Sequence, residues 1–349
     1  MLSQSNHKNF LTLNIVRVLL ATIVMFHHYE IKIFANSGLA VDFFFILSGF
    51  VLAMKFNKSI DLLNFSIDRI SRIFPLYFLA LTFRLILINE YPDTFSLIAN
   101  FMLIHMLLLN NSVLGVLNPS WSLSVEFWSN ILLLAPVMAI TRTSEVRKII
   151  LPLLLFLVIL IYSLLFTEAN FEHWHEKKIG LLSGGFIRCC GGLFLGYITY
   201  FVSQNINYII NKRFVNIVFL IFTFFLMFIL MGGYGFEGKK VFIVLTPFFI
   251  VLSCNQNLNI NSFNSKFLND FSKISYAVYL FHMVVLNILN RCSFINVYSF
   301  IAKEILASML TILASFFIAK YIEPILIAKT RNKLLAICSS KDGADKIAI

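Results

Sequence analysis

The chain has 349 residues, of which 59% are hydrophobic and 13% are charged, about half the charged fraction of an ordinary soluble domain. With a mean hydropathy of +0.85, this composition excludes a soluble enzyme, a nucleic-acid module and a disordered chain. The formal net charge is +11; in so apolar a chain the excess reads as basic loops facing an anionic membrane leaflet. The apolar stretches are continuous and helix-length rather than short and alternating, which excludes a β-barrel.

In chain order, the apolar runs fall at roughly 11–29, 38–54, 73–88, 96–109, 121–140, 147–166, 181–202, 214–231, 241–254, 274–290 and 304–327. The first lacks an A-x-A-like cleavage site and reads as a retained helix. The run 96–109 is short and weakly flanked, and charge parity decides its fate. If it does not span, ten helices remain and both termini are cytoplasmic. The inner segments then carry Lys55, Arg69, Arg72, Arg142, Arg147, Lys148, Lys212, Arg213, Lys266, Lys273 and a basic tail, while the outer loops are close to neutral. The expectation is an all-α integral membrane protein of about ten transmembrane helices in one bundle. Residues 1–328 form the membrane domain and 329–349 a short basic cytoplasmic tail. Residues 89–120 become an outer-face segment whose apolar part dips into the membrane or covers a cavity. The five cysteines show no CxxC spacing, so neither a disulfide framework nor a metal site is expected. The run EHWHE (172–176) reads as a solvated loop.

Ionisable residues inside spanning segments are costly and are functional candidates by default. Arg17 and His28 stand on the first helix eleven residues apart. At about 100° per residue they share a face, separated by about 16 Å along the axis. His27 lies about 80° off that face. Asp42 opens the second helix, level with His28, where a carboxylate can orient an imidazole or serve the helix N-terminus. Ser48 and Gly49 interrupt that helix and permit close approach of a helix or a ligand. Arg69 and Arg72, three apart, form one cationic patch on the cytoplasmic side and with Arg17 can clamp phosphates. Glu126 lies about one turn inside the outer boundary, beside the interfacial Trp121 and Trp128. His282 is mid-helix, a position where a hydrogen-bonded core histidine is the commoner outcome. Glu323 precedes Pro324 near the inner end of the last helix, and Arg188 is a weaker candidate.

Six segments taken in order resemble the acyltransferase type 3 family of membrane-bound enzymes that modify surface polysaccharides and related glycans. They are NIVRVLLATIVMFHHYE (14–30), AVDFFFILSGFVLA (40–53), DRISRIFPLYFLAL (68–81), PSWSLSVEFW (119–128), ISYAVYLFHMVVL (274–286) and YIEPIL (321–326). The family's arginine–ten residues–histidine motif selects Arg17 and His28 rather than His27, and its Arg-x-x-Arg motif selects Arg69 and Arg72. Ala40 stands where glycine is common, and Val18 where glycine or alanine is frequent. The resemblance implies an acyl-CoA donor, most often acetyl-CoA, and no metal. The implied acceptor is a hydroxyl of a surface polysaccharide or lipid-linked glycan, with the enzyme multi-pass in the cell inner (plasma) membrane. On this reading Arg17, Arg69 and Arg72 hold the donor phosphates, and Ser48 and Gly49 flank its thin arm. His28 is the general base oriented by Asp42, with Glu126 at the acceptor or the imidazolium. Trp121 and His282 contact the acceptor. Membrane lipid surrounds the bundle, and no nucleic acid is involved. The rival is a lipid-linked oligosaccharide flippase without acyl chemistry; the polar groups, gathered in the first 130 residues, favour a single asymmetric site over paired repeats.

Overall fold

The computed structural model describes residues 10–57, 59–87, 92–107, 115–167, 177–179, 182–204, 212–255, 258, 266–291 and 300–344. The EHWHE run and residues 108–109 lie outside them. In chain order the helices are α1 (Phe10–His28), α2 (Leu39–Phe56), α3 (Leu62–Leu87), the short α4 (Thr94–Phe101) and α5 (Ser120–Ser129), which runs through a π-helical turn at Asn130–Leu134 into α6 (Ala135–Ile140). Then come α7 (Ser144–Leu165), a small antiparallel pair of β1 (Lys178–Ile179) and β2 (Leu182–Ser183), α8 (Gly184–Gln204), α9 (Lys212–Leu230) and α10 (Gly235–Ser253). The chain ends on α11 (Lys266–Phe271), α12 (Ser275–Arg291) and α13 (Phe300–Phe317), which continues through a second π turn at Ile318–Ile322 into α14 (Glu323–Ala344).

Among the described residues, 8 helical segments are long and apolar enough to cross a membrane. The other two expected spans are α10, whose first turns carry Glu237, Lys239 and Lys240, and α12, which has 17 residues. The helix in the 96–109 region is α4, with 8 residues. At 1.5 Å per residue that is about 12 Å, well short of a hydrocarbon core of about 30 Å. Asp93 caps it, accepting from the Ser96 amide at 3.0 Å and the Ser96 hydroxyl at 2.6 Å, and these bonds hold the Asp93 carboxyl below the usual range. The segment is pinned from inside: Tyr77 donates to the Asn100 carbonyl at 2.9 Å, and the Val116 amide donates to Asn100 Oδ1 at 3.0 Å.

α14 begins at Glu323 and runs unbroken past residue 329, and Arg331 pairs with Asp68 of α3 at 2.9 Å. Both π turns end two residues before a proline, Pro136 and Pro324. Proline lacks the amide that would close the preceding turn, and its ring crowds the carbonyl four residues back. A wider winding relieves that crowding.

Burial sorts the helices. The apolar windows of α8 and α2 are 83% and 67% buried, against 28% for α7 and α9. The peripheral helices expose Ile149, Phe156, Phe214, Ile217 and Phe224, as a lipid-facing surface requires. Two apolar cores result, one around α2, α7, α8, α9 and α10, the other around α1, α3, α12 and α13.

α2 and α8 meet backbone to backbone. A Cβ on Gly49 would strike the Leu193 carbonyl, one on Gly196 the Ile46 carbonyl, and one on Gly192 the Cβ of Phe45 at 2.6 Å. Gly192 and Gly196 form a small-x-x-x-small pair, the pattern that lets membrane helices approach closely. The same interface holds a buried ion pair. Arg188, 1% exposed, donates from Nε to Asp42 Oδ1 at 2.8 Å and from Nη2 to Oδ2, while Asp42 is fully buried. Arg188 Nη2 also donates to the Gly38 carbonyl at 3.0 Å.

Two outcomes follow. Gly196→Val should lower the detergent unfolding midpoint, because overpacking costs about 1–3 kcal/mol and here the obstacle is backbone. An unchanged midpoint would mean that the helices are not in contact there. Arg188→Met alone should destabilise by about 3–5 kcal/mol by stranding the Asp42 carboxylate, and adding Asp42→Leu should recover most of the loss. A double-mutant cycle with no coupling would dissolve the pair.

Candidate active site

A cleft of about 210 Å³ opens between the two apolar cores, with walls from α1, α2, α3, α5 and α12. Its lining on α2 runs from Phe44 to Phe56, about 18 Å along the axis. The polar lining is Arg17, Ser48, Lys55, Asp68, Arg69, Arg72, Ser122, Glu126, Ser275, Tyr276 and Tyr279. Helix periodicity explains the grouping: Ser48, Val51, Leu52 and Lys55 share one stripe of α2, opposite the glycine face packed on α8.

At one end sits the expected cationic cluster. Arg69 Nη2 pairs with Glu126 Oε1 at 3.1 Å, and the two side chains are 12% and 21% exposed. Ser48 donates to the same carboxylate oxygen at 2.7 Å. Arg17 lies within electrostatic reach of Arg72, Arg69, Glu126 and Glu323. Neither Arg17 nor Arg72 takes part in a salt bridge among the described residues. Lys55 pairs with Asp68 at 2.9 Å and closes the rim. Arg69 pairs with Glu126, Arg17 lies within reach of it, and Arg72 lines the same cleft, leaving guanidinium groups available to an anion.

At the other end of α1, His28 stacks on His282, with ring centroids 5.2 Å apart and an interplanar angle of 28°. His27 meets His28 edge-on at 5.6 Å and is exposed, whereas His28 is half-buried. His282 is fully buried. Its Nδ1 lies 3.1 Å from the Val278 carbonyl, which assigns the proton to Nδ1 and leaves the lone pair on Nε2; Nε2 has no hydrogen-bond partner among the described residues. Tyr29 fastens this corner, donating to the His282 carbonyl at 2.8 Å and sharing a 2.8 Å bond with the Thr311 hydroxyl.

α12 joins the two ends. Ser275, Tyr276 and Tyr279 line the cleft, and the Tyr279 ring lies 6.3 Å from His282. The Tyr279 hydroxyl donates to the Pro119 carbonyl at 2.5 Å and shares a 2.6 Å bond with Ser122. The cleft lining reaches Tyr279 but does not include His28, so Tyr279 and His282 intervene between the arginines and His28.

The structure therefore brings Arg17, Arg69, Arg72, Ser48 and Glu126 together and pairs His28 with His282. Gly49 and Asp42 stand elsewhere, and Glu126 joins the arginines. Gly49 serves the α2–α8 packing and does not line the cleft: a Cβ there would strike the Leu193 carbonyl. Asp42, expected beside His28, has both oxygens committed to Arg188. Glu126, expected at the acceptor end, is drawn to Arg69. Trp121 is half-buried, edge-on to Phe45 at 6.3 Å, with the Arg188 guanidinium 5.9 Å above its ring. Sequence reasoning missed Tyr276, Tyr279 and Ser122. The i, i+3, i+6 spacing of Tyr276, Tyr279 and His282 was the available signal for one polar helix face. Among the described residues no cluster of three or more His, Cys, Asp or Glu side chains is placed to hold a metal.

The family model described as an acyltransferase domain, acyltransferase type 3, matches residues 10–320. A curated protein named "Putative acetyltransferase ORF330", from Acidianus two-tailed virus, is 24% identical over 263 residues, covering 73% of this chain and 75% of its own length. No solved structure matches. With a family match running from the first described helix into the second π turn, the chain belongs to the acyltransferase type 3 family and is a multi-pass membrane acyltransferase.

Proposed function

We propose that the protein moves an acyl group, acetyl first, from cytoplasmic acyl-CoA to a hydroxyl of a surface polysaccharide or lipid-linked glycan across the cell inner membrane. The observation that carries this reading is the pairing of a polyarginine cleft at one end of α1 with a histidine pair at the other. CoA is anionic at its nucleotide end and nearly uncharged along its arm. Arg17, Arg72 and the Arg69–Glu126 pair suit the phosphates, and the roughly 18 Å of lining on α2 suits the arm. Phe44, Val51 and Leu52 give that arm an apolar wall.

In this reading His28 accepts the proton of the acceptor hydroxyl as that oxygen attacks the thioester carbonyl carbon. The carbon–sulfur bond breaks, the leaving thiolate takes the proton from His28, and the ester and free thiol form with no net proton change. His282 holds the His28 ring by stacking, the positioning role first assigned to Asp42. The thioester passes the Tyr279 ring to reach His28. Ser122 and the Pro119 carbonyl, both bonded to Tyr279, mark that constriction.

His28→Ala should lower acetyl-CoA-dependent CoA release by about a hundredfold or more while insertion and CoA binding persist. Retained release would remove His28 from the chemistry. A flippase would release no CoA even as wild type, and surface glycan lighter by one acyl group per repeat without the protein would identify the acceptor. Arg72→Ala should raise KM for acetyl-CoA about tenfold or more, as loss of a charge-assisted contact does. It should leave turnover of an acetylated pantetheine lacking phosphates unchanged. Equal losses on both donors would place Arg72 outside a phosphate site.

A further inference from the structure

α14 lies beyond the residues that the family model matches, yet it packs along α3, a wall of the cleft. With α13 it forms one helical segment from Ile301 to Ser339. Arg331 stands about 45 Å from Ile301 along that segment, farther than a hydrocarbon core of about 30 Å extends. It is therefore in the aqueous layer at the arginine end of the cleft. There its Nε donates to Asp68 Oδ1 at 2.9 Å, while Lys55 donates to Asp68 Oδ2 at 2.9 Å. Asp68 and Lys55 both line the cleft.

This group is open to a ligand. The side chains of Lys55, Arg331 and Asp68 are 56%, 47% and 26% exposed. Two cations share one carboxylate, so the rim keeps a net positive charge. Nε is the Arg331 nitrogen bonded to protein among the described residues, which leaves its Nη groups facing solvent, and the Lys55 ammonium retains further N–H donors. Asp68 holds both cations at the mouth, so less side-chain freedom is lost when an anion arrives. The rim is also distinct from the deeper arginines. Asp68 lies one helical turn, about 6 Å, from Arg72 along α3, and Lys55 lies about 10 Å from Ser48 along α2.

We propose that Arg331 and Lys55, steadied by Asp68, form a second phosphate subsite at the cleft mouth, and that it takes the monophosphate on the donor's ribose. A donor with a single phosphate group would need only one of the two cationic groups. CoA carries a diphosphate and a ribose monophosphate, separated by the sugar ring, a spacing on the scale of one helical turn. With the thioester directed toward the histidines, the diphosphate is the inner of the two and meets Arg17, Arg69 and Arg72, while the ribose phosphate remains at the rim. The assignment rests on the acyl-CoA reading above and adds to it a specificity determinant supplied by a helix outside the family match.

The test uses the full chain purified in detergent, with binding measured for CoA and for dephospho-CoA, which lacks the ribose phosphate. The wild type should prefer CoA. Arg331→Ala should weaken CoA binding about threefold to fivefold, the scale of a half-exposed charge pair, and leave dephospho-CoA binding unaffected. Lys333→Ala removes the same charge about 200° around α14 and should change neither affinity. Loss of an exposed charge leaves folding largely intact in both variants. Equal losses in the two variants would reduce the effect to overall charge and overturn the subsite. So would an Arg331→Ala loss shared by both ligands, or a wild type that binds them equally. A wild type that binds neither would instead overturn the donor reading beneath, and the subsite would fall with it.

Discussion

The α2–α8 contact is the constraint on which the site depends. In lipid, apolar side chains gain little by leaving one apolar medium for another, so helices are held by close packing and polar bonds. Here both act in one interface. Glycines let Ile46 and Leu193 carbonyls meet the opposite backbone, and Arg188 binds Asp42 through two hydrogen bonds. A helix fixed so closely on one face presents its other face with little freedom. That other face carries Phe44, Ser48, Val51 and Lys55, the α2 wall of the cleft. The rotation of α2 about its own axis, set by glycines on one side, thereby sets the alignment of Ser48 with Glu126 on the other.

The second element of the design is charge management inside a membrane. Three arginines near one another repel, and removing each from water is expensive. Glu126 offsets part of that cost by accepting from Arg69 and lying close to Arg17. Ser48 then satisfies the carboxylate without adding charge. The cluster stays net positive, as the proposed site for a phosphorylated donor requires, yet it is not left as bare repulsion. The same logic explains why Glu126 sits with the arginines and not with the histidines. The attraction of a partly buried carboxylate to guanidinium groups outweighs any gain from a neutral imidazole.

Much of this was legible in the sequence. The eleven-residue step from Arg17 to His28 fixes both the shared face and the span of α1. The apolar periodicity and the charge asymmetry of the loops gave the helices, and the shortness of the 96–109 run matched the brief α4. What was not legible depended on partners distant in the chain. Asp42 looked level with His28, but Arg188 lies 146 positions away and nothing local announced that bond. Gly49 read as a place where a ligand or a helix might come close, and the choice between them required knowing that Gly192 and Gly196 stood opposite. The proline-driven π turns were written locally, in LLLAPV and KYIEPI, yet propensity rules treat proline as a kink or a stop and not as a cause of wider winding.

On the proposed reading, an enzyme that takes an anionic donor from one side of a membrane and a polar acceptor from the other must join two sites without leaving a continuous pore, and Tyr279 is the residue placed to separate them. Its hydroxyl is tied to Ser122 and the Pro119 carbonyl, and its ring lines the cleft and lies 6.3 Å from the His282 ring. Two neutral hydrogen bonds contribute about 1 kcal/mol each. On that reading, passage of the donor requires Tyr279 to turn aside at the cost of those two bonds. Such a barrier blocks bulk water and ions for most of the time, yet yields to a ligand that binds the open form better. The binding energy of a phosphate group held by Arg17 and Arg72, far from the reacting carbon, is then available to favour the open rotamer, as remote contacts in enzymes commonly serve the reacting centre. On that argument, the distance between the arginines and the histidines is a functional requirement. It lets the part of the donor that binds most strongly remain on its own side while only the thin end crosses.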